Sequence, residues 1–318
     1  MNNILSNTKI ILAAPRGFCA GVERAVEILD KAIKSFDSPI YVKHEVVHNK
    51  FIIANFKDRG VMFIENINEV PRNSILIYSA HGVSMQVKEI AKSKNLKIFD
   101  ATCPLVTKVH IEVHKFAKLG VDVVLIGHNG HPEIEGTMGQ YKSDTGKIHL
   151  VENIKDVEKI NITNPNLAYV TQTTLSIDDA KKIIEVLIKK YPKIKGPAKD
   201  DICYATQNRQ DAVKSILNYC DYLLVIGSQN SSNSKRLAEL AIKNDIPSML
   251  VDDKNDINLK TLEDKKVIGV TAGASAPKIL FDDILKYLTD NGAIIEDFGQ
   301  EIVKEDIAFS VPKEFRNL

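Results

Sequence analysis

The sequence predicts an α/β protein built from three similar domains with mainly parallel sheets. Three observations point there. Apolar runs of strand length alternate with helical patterns along the whole chain. Small and polar residues collect where those apolar runs end. The same motifs then recur in the same order three times. A chain of 318 residues is also too long for one small core and calls for units of roughly 100 to 150 residues.

Each copy opens with an extended or apolar run, a cysteine and then a helical pattern: KIILAAPRGFCAGVERAVEIL, LKIFDATCPLVTKVHIEVHKFA and PAKDDICYATQNRQDAVKSIL. The second element is a β-rich run ending in polar residues: PIYVKHEVVHN, VDVVLIGHNGHPE and DYLLVIGSQNSSNSKR. The third is another strand with a Ser, Thr, His or Gly tip: SILIYSAHGVS, NLAYVTQTTLS and KVIGVTAGASAP. Helical segments follow these tips, as in SMQVKEIAKS, SIDDAKKIIEVLIKK and APKILFDDILKYL. The period, roughly 85 to 100 residues, is too long for a solenoid, so each copy is read as a small domain. Boundaries fall near Leu96–Asp100 and Lys193–Lys199, giving domains 1–100, 101–198 and 199–318. The last includes an arm, EIVKEDIAFSVPKEF, read as a late strand or arm ended by Pro312.

Composition narrows the function. The chain is 44% hydrophobic and 26% charged, an ordinary globular balance. Lys+Arg 42 against Asp+Glu 41 leaves a net charge of +1, without the basic excess of nucleic-acid binders. No stretch approaches the ~20 apolar residues that span a bilayer, and the N-terminus lacks a signal-peptide pattern. The reading is a cytoplasmic protein with neither nucleic-acid nor membrane partners. In that compartment four cysteines are not expected to pair as two disulfides.

Cys19, Cys103 and Cys203 each lie at a strand-to-helix transition. In open parallel sheets ligands bind at the carboxyl ends of strands, so three copies packed around an axis would bring three thiols to one point. Thiolates suit iron–sulfur clusters and soft metals. There is no C-x-x-C pair and no close-set ferredoxin run. Three ligands would leave one iron of a cubane cluster open as a Lewis-acid position. Two other enzyme or binding readings stay open from the residues alone: a zinc hydrolase using three thiolates, and a cluster-based redox sensor. Three separate buried thiols are the bland alternative. Cys220, beside an apolar strand in NYCDYLLVIG, is read as core.

His48, His81 and His131 close strand-end loops and suit an anion, since imidazole donates to phosphate oxygens. Thr173, Thr174, Ser231, Ser232, Asn233 and Ser275 are donors just ahead of helices, where backbone N–H groups favour phosphate. Singly, each is as well explained as a helix cap. No Walker-type G-x-x-x-x-G-K-[ST] is present, so a nucleoside triphosphate is not implied. Glu133, in HNGHPEIEG, is a candidate proton donor.

Taken together, RGFCAGVERA, HEVVHN, SAHGVS, DATCPLVTKV, IGHNGHPEIEGTMGQ, TQTTLS, ICYATQNRQ, GSQNSSNSKRL and TAGASAP resemble the 4-hydroxy-3-methylbut-2-enyl diphosphate reductase family of the non-mevalonate isoprenoid pathway, over nearly the whole chain. The resemblance implies a pseudo-threefold trefoil of α/β domains around one 4Fe-4S cluster. It assigns the cluster ligands to Cys19, Cys103 and Cys203, with one iron left open. It assigns diphosphate binding to His48, His81, His131, Ser231, Ser232, Asn233 and Ser275, with Thr173 near the substrate's hydroxyl end. Glu133 is implied as the proton source, working with Thr173 and His131. The implied reaction is a two-electron reductive dehydroxylation to isopentenyl and dimethylallyl diphosphate, with electrons from a ferredoxin- or flavodoxin-type protein.

Overall fold

In the computed structural model, residues 4–36, 39–296 and 302–315 are described. The chain starts with strand β1 (Lys9–Leu12) and helix α1 (Ala20–Ser35). There follow β2 (Ile40–Lys43), α2 (Lys50–Asp58), β3 (Val61–Ile64), β4 (Ile75–Tyr78), α3 (Met85–Ser93) and β5 (Lys97–Asp100). The middle of the chain forms α4 (Pro104–Lys118), β6 (Asp122–Ile126), α5 (Pro132–Met138), β7 (Ile148–Val151), α6 (Ile154–Lys159), β8 (Leu167–Thr171) and α7 (Ile177–Lys190). The last part forms α8 (Tyr204–Leu217), β9 (Tyr222–Ile226), α9 (Ser232–Lys243), β10 (Ser248–Val251), β11 (Val267–Ala272), α10 (Lys278–Asp290) and the short β12 (Ile294–Ile295).

These strands make three sheets, and every pairing in them is parallel. The orders are β3-β2-β4-β5, β7-β6-β8 and β10-β9-β11-β1-β12. The first four strands of each order correspond once a single bridge from Lys195 to Ala168 is counted beside β8. In each sheet the fourth position is the run that leads into a cysteine: β5 into Cys103, the Lys195 segment into Cys203, and β1 into Cys19. Strand β1 therefore belongs to the sheet made by the end of the chain, in register Lys9 with Val267 through Leu12 with Val270.

Parallel strands covered on both faces need apolar side chains at successive positions, not alternate ones. That is what DVVLI in β6 and YLLVI in β9 supply; both are buried at all five residues. In the largest sheet, Leu224 and Ile226 face Leu280, Ile284 and Leu288 of α10. Their neighbours Leu223 and Val225 face Val213, Ile216 and Leu217 of α8 and Leu237 and Leu240 of α9. Each such side chain, fully buried, stabilises the fold by roughly 1.5 to 3 kcal/mol. Helix α1 shows the matching helical spacing, with Ala25, Ile28, Leu29 and Ala32 all wholly buried.

The chain divides into two compact units. One comprises Met1–Ala20, His48–Ala54 and Tyr204–Ile307, and holds the five-stranded sheet. The other comprises Gly21–Val47, Asn55–Cys203 and Ala308–Leu318, and holds the four- and three-stranded sheets. Within that second unit the Gln140 amide donates to Val83 O at 2.7 Å, joining the turn after α5 to the tip after β4. The end of the chain is an arm and not a strand: its described residues from Ile302 are irregular and close in a single 3₁₀ turn at Lys313–Phe315. The 3₁₀ turn begins directly after Pro312, and Phe315 within it is buried against Phe99, with ring centroids 4.5 Å apart. Among the described residues, no helix is long and apolar enough to cross a membrane.

Candidate active site

The same local geometry recurs at three cysteines. Each is half-buried, directly precedes a helix, and donates its backbone N–H to the carbonyl of a strand tip. Cys19 donates to Ala274 O at 3.3 Å, Cys103 to Ala80 O at 3.0 Å and Cys203 to Thr173 O at 3.0 Å. Ala274, Ala80 and Thr173 follow β11, β4 and β8, the third position of each sheet order. A parallel sheet explains the repetition, because neighbouring strands end at one level and their loops meet there. A thiolate presented in this way is the ligand type that iron–sulfur clusters and other soft metals take. Cys220 differs: it is buried among Ile216, Leu217 and Leu223, and burial pushes its thiol up to about 11.

In the unit holding Cys103 and Cys203, Glu133 lies in the first turn of α5 and is 4% exposed. Its Oε1 accepts the Thr173 N–H at 2.7 Å and its Oε2 accepts the Thr173 hydroxyl at 3.0 Å. Burial nevertheless raises the carboxyl to about 7, with the charge of Asp201 adding to the rise and the two Thr173 donors opposing it. His131 caps α5, its Nδ1 accepting the Glu133 N–H at 3.1 Å. The His81 ring meets the His131 ring edge-on, with centroids 5.6 Å apart. Gly82 turns the chain after His81 with φ 76°, a conformation that favours glycine, and a Cβ there would lie 2.5 Å from the His110 ring. Thr174 Oγ1 accepts from the Gln172 amide at 3.2 Å, and Gln172 Oε1 accepts the His128 N–H at 3.0 Å.

In the unit holding Cys19, the Ser275 hydroxyl donates to His48 O at 2.8 Å and lies 3.3 Å from Ser231 Oγ. Ser231 caps α9, accepting the Ser234 N–H at 3.3 Å. Asn233 Oδ1 accepts the Ala274 N–H at 2.8 Å, tying it to the tip that also holds Cys19. Ser232 is the first residue of α9 and is 8% exposed. His48, Ser231, Asn233 and Ser275 are thus drawn to one end of one sheet.

Several polar residues that no sequence pattern singles out organise these loops. Asp201, with its side chain wholly buried, accepts the Thr171 N–H at 3.0 Å and pairs with Lys108 at 3.0 Å. Ser228, also wholly buried, hydrogen-bonds Asp252 and accepts the Lys50 N–H at 3.0 Å. Nothing local in a lone Asp or Ser marks such a role; only the partners do. Among the described residues, no group of three or more His, Cys, Asp and Glu side chains gathers closely enough to hold a metal.

Parallel sheets with thiols, imidazoles, hydroxyls and a proton-holding carboxyl at their strand tips define an α/β enzyme. A family model described as LytB protein matches residues 10–289. A 4-hydroxy-3-methylbut-2-enyl diphosphate reductase from Methylococcus capsulatus is 55% identical over 311 residues, covering 98% of this chain and 99% of the relative. Among solved structures, the E-1-hydroxy-2-methyl-but-2-enyl-4-diphosphate reductase from Plasmodium falciparum aligns with a TM-score of 0.92 at 40% identity, covering 98% of each chain. A second, described as the terminal enzyme of the non-mevalonate pathway, aligns with a TM-score of 0.64 at 29% identity, over 89% of this chain and 99% of that one. The chain belongs to the LytB family.

Proposed function

We propose that the chain catalyses the last step of the non-mevalonate isoprenoid pathway, the iron–sulfur-dependent reductive dehydroxylation of 4-hydroxy-3-methylbut-2-enyl diphosphate to isopentenyl and dimethylallyl diphosphate. It is an oxidoreductase, as its relatives' names state. The substrate alcohol, two electrons and two protons become the alkene diphosphate and one water. Cys19, Cys103 and Cys203 would hold one 4Fe-4S cluster, which supplies single-electron transfer and an open iron that polarises the C–O bond. The three-domain division at 1–100, 101–198 and 199–318, arranged as a trefoil and with β1 passing from the first domain to the sheet of the last, belongs to the same proposal, as do a cytoplasmic setting and a ferredoxin- or flavodoxin-type electron donor.

The observation that carries the reading is the Glu133 carboxyl, buried, held by Thr173 and poised at about 7. A carboxyl that keeps its proton near neutral pH can hand it to a departing hydroxyl. Thr173, held by that carboxyl, is suited to meet the substrate's hydroxyl end, and His131 sets the helix start that carries Glu133. His48, His81, His131, Ser231, Ser232, Asn233 and Ser275 would bind and orient the diphosphate, with Thr174 also contacting substrate, fixing the allyl chain while water is kept out. The test pairs Glu133→Gln with Cys103→Ala. The first is expected to keep the cluster and bind substrate but lose about 10²- to 10⁴-fold in turnover. The second is expected to lose the cluster, read by iron and sulfide counting after anaerobic purification. Full turnover and full iron in both variants would sink the proposal.

A further inference from the structure

Three cations stand at nearly the same offset from the three cysteines. Arg24 follows Cys19 by five residues, Lys108 follows Cys103 by five, and Arg209 follows Cys203 by six. Each therefore rides the second turn of the helix that its cysteine precedes. Among the described residues, none of the three hydrogen-bonds the backbone leading into its own cysteine. Arg24 donates to Thr102 O at 3.0 Å and Asp100 O at 3.1 Å, the residues leading into Cys103. Lys108 donates to Lys199 O at 2.6 Å, Asp200 O at 3.2 Å and Asp201 Oδ1 at 3.0 Å, leading into Cys203. Arg209, wholly buried, donates to Gly17 O at 2.6 and 3.0 Å and to Phe18 O at 3.1 Å, leading into Cys19.

We propose that Arg24, Lys108 and Arg209 are positioning residues of a directional latch, in which the helix after each cysteine holds the backbone leading into the next, in the cycle 19 to 103 to 203 to 19. Each link lies inside one compact unit. The physical case is that carbonyls on strand-end loops, once bound to a charged donor, cannot reorient, so the following thiol keeps its place. The charges also compensate the negative charge of thiolates that a soft metal requires. Ser310 O accepts from Arg24 at 2.9 Å, and Glu305 pairs with Arg209 at 3.0 Å, so the C-terminal arm braces two of the three cations. The inference rests on the reading that these cysteines hold one cluster.

The test uses Arg24→Met, Lys108→Met and Arg209→Met in the full chain, with site-resolved maleimide labelling of the metal-free protein by mass spectrometry. Losing a charge-assisted hydrogen bond is expected to speed labelling about tenfold at the gripped cysteine and less than about twofold at the other two. Arg24→Met should act on Cys103, Lys108→Met on Cys203 and Arg209→Met on Cys19, with buried Cys220 as the internal reference. A merely structural loss would raise all sites together, and that result, or a change at the cysteine of the cation's own helix, overturns the latch. Arg209→Lys is measured as well, since it keeps the charge but loses the fork over Gly17 and is expected to expose Cys19. If the Arg209 variants do not fold, the Arg24 and Lys108 pattern decides. Iron release from the loaded wild-type and variant proteins to a chelator separates the two readings. Iron-free wild-type protein defeats the cluster reading and leaves the labelling pattern standing, whereas a loaded wild type with no directional pattern defeats only the latch.

Discussion

The carboxyl of Glu133 receives two donors from one residue, the backbone N–H of Thr173 at 2.7 Å and its hydroxyl at 3.0 Å. Both donors favour the ionised form, yet desolvation outweighs them and leaves the group at about 7. In the role of proton donor proposed for it, a carboxyl so poised would make the reaction pH-sensitive. Turnover is expected to fall as pH rises through about 7, where Glu133 loses its proton. Glu133→Gln should abolish that limb along with most of the rate; a pH–rate profile that keeps the same limb in the Gln variant counts against the assignment.

Thr173 is expected to tune that limb. Thr173→Val removes the hydroxyl donor but keeps the N–H, so the carboxylate is less favoured and the limb should move to higher pH, by roughly one unit. Thr173→Ser should restore it. An unmoved limb in Thr173→Val would show that the hydroxyl does not act on Glu133.

Stability should carry the same signature. The folded chain keeps the Glu133 proton up to about 7, whereas the unfolded chain releases it near the ordinary 4.5. Between those values the folded state binds more protons, so its stability falls as pH rises. The loss amounts to a few kcal/mol on the order-of-magnitude scale of such shifts. Glu133→Gln should flatten this slope in denaturant titrations from pH 4.5 to 8; an equal slope in both proteins would place the titration elsewhere.

The two serines at the start of α9 should separate structure from binding. Ser231 caps the helix, so Ser231→Ala is expected to cost about 1 kcal/mol in stability and also to weaken substrate binding. Ser232 follows the cap, and Ser232→Ala should raise KM while costing less folding free energy than Ser231→Ala. Equal stability losses in both would contradict the capping geometry.

Cys220 supplies a control for the thiols. It is buried in an apolar cluster, so Cys220→Ala is expected to cost about 1 kcal/mol through the small cavity left behind and to leave iron content unchanged. Loss of iron in that variant, measured beside Cys103→Ala, would reassign the ligand set.

Much of this protein is legible before any fold is known. Strand-length apolar runs such as DVVLI and YLLVI announce buried parallel strands, because covered sheets need apolar residues on both faces. The residue pattern alone carries the α/β class, the three recurring strand–cysteine–helix motifs and the set of residues at strand tips. Other features required the tertiary structure. Strand β1 pairs with β11, 258 positions on from Lys9 to Val267, and no local pattern encodes a partner at that distance. Glu133 reads in sequence as one acid among many; its proton affinity depends on what surrounds it once α5 and the tip after β8 come together. The grips of Arg24, Lys108 and Arg209 are of the same kind, each a side chain meeting carbonyls far along the chain. Local composition decides which elements form, but desolvation and long-range hydrogen bonds exist only when distant segments are packed, and they set the chemistry of the site.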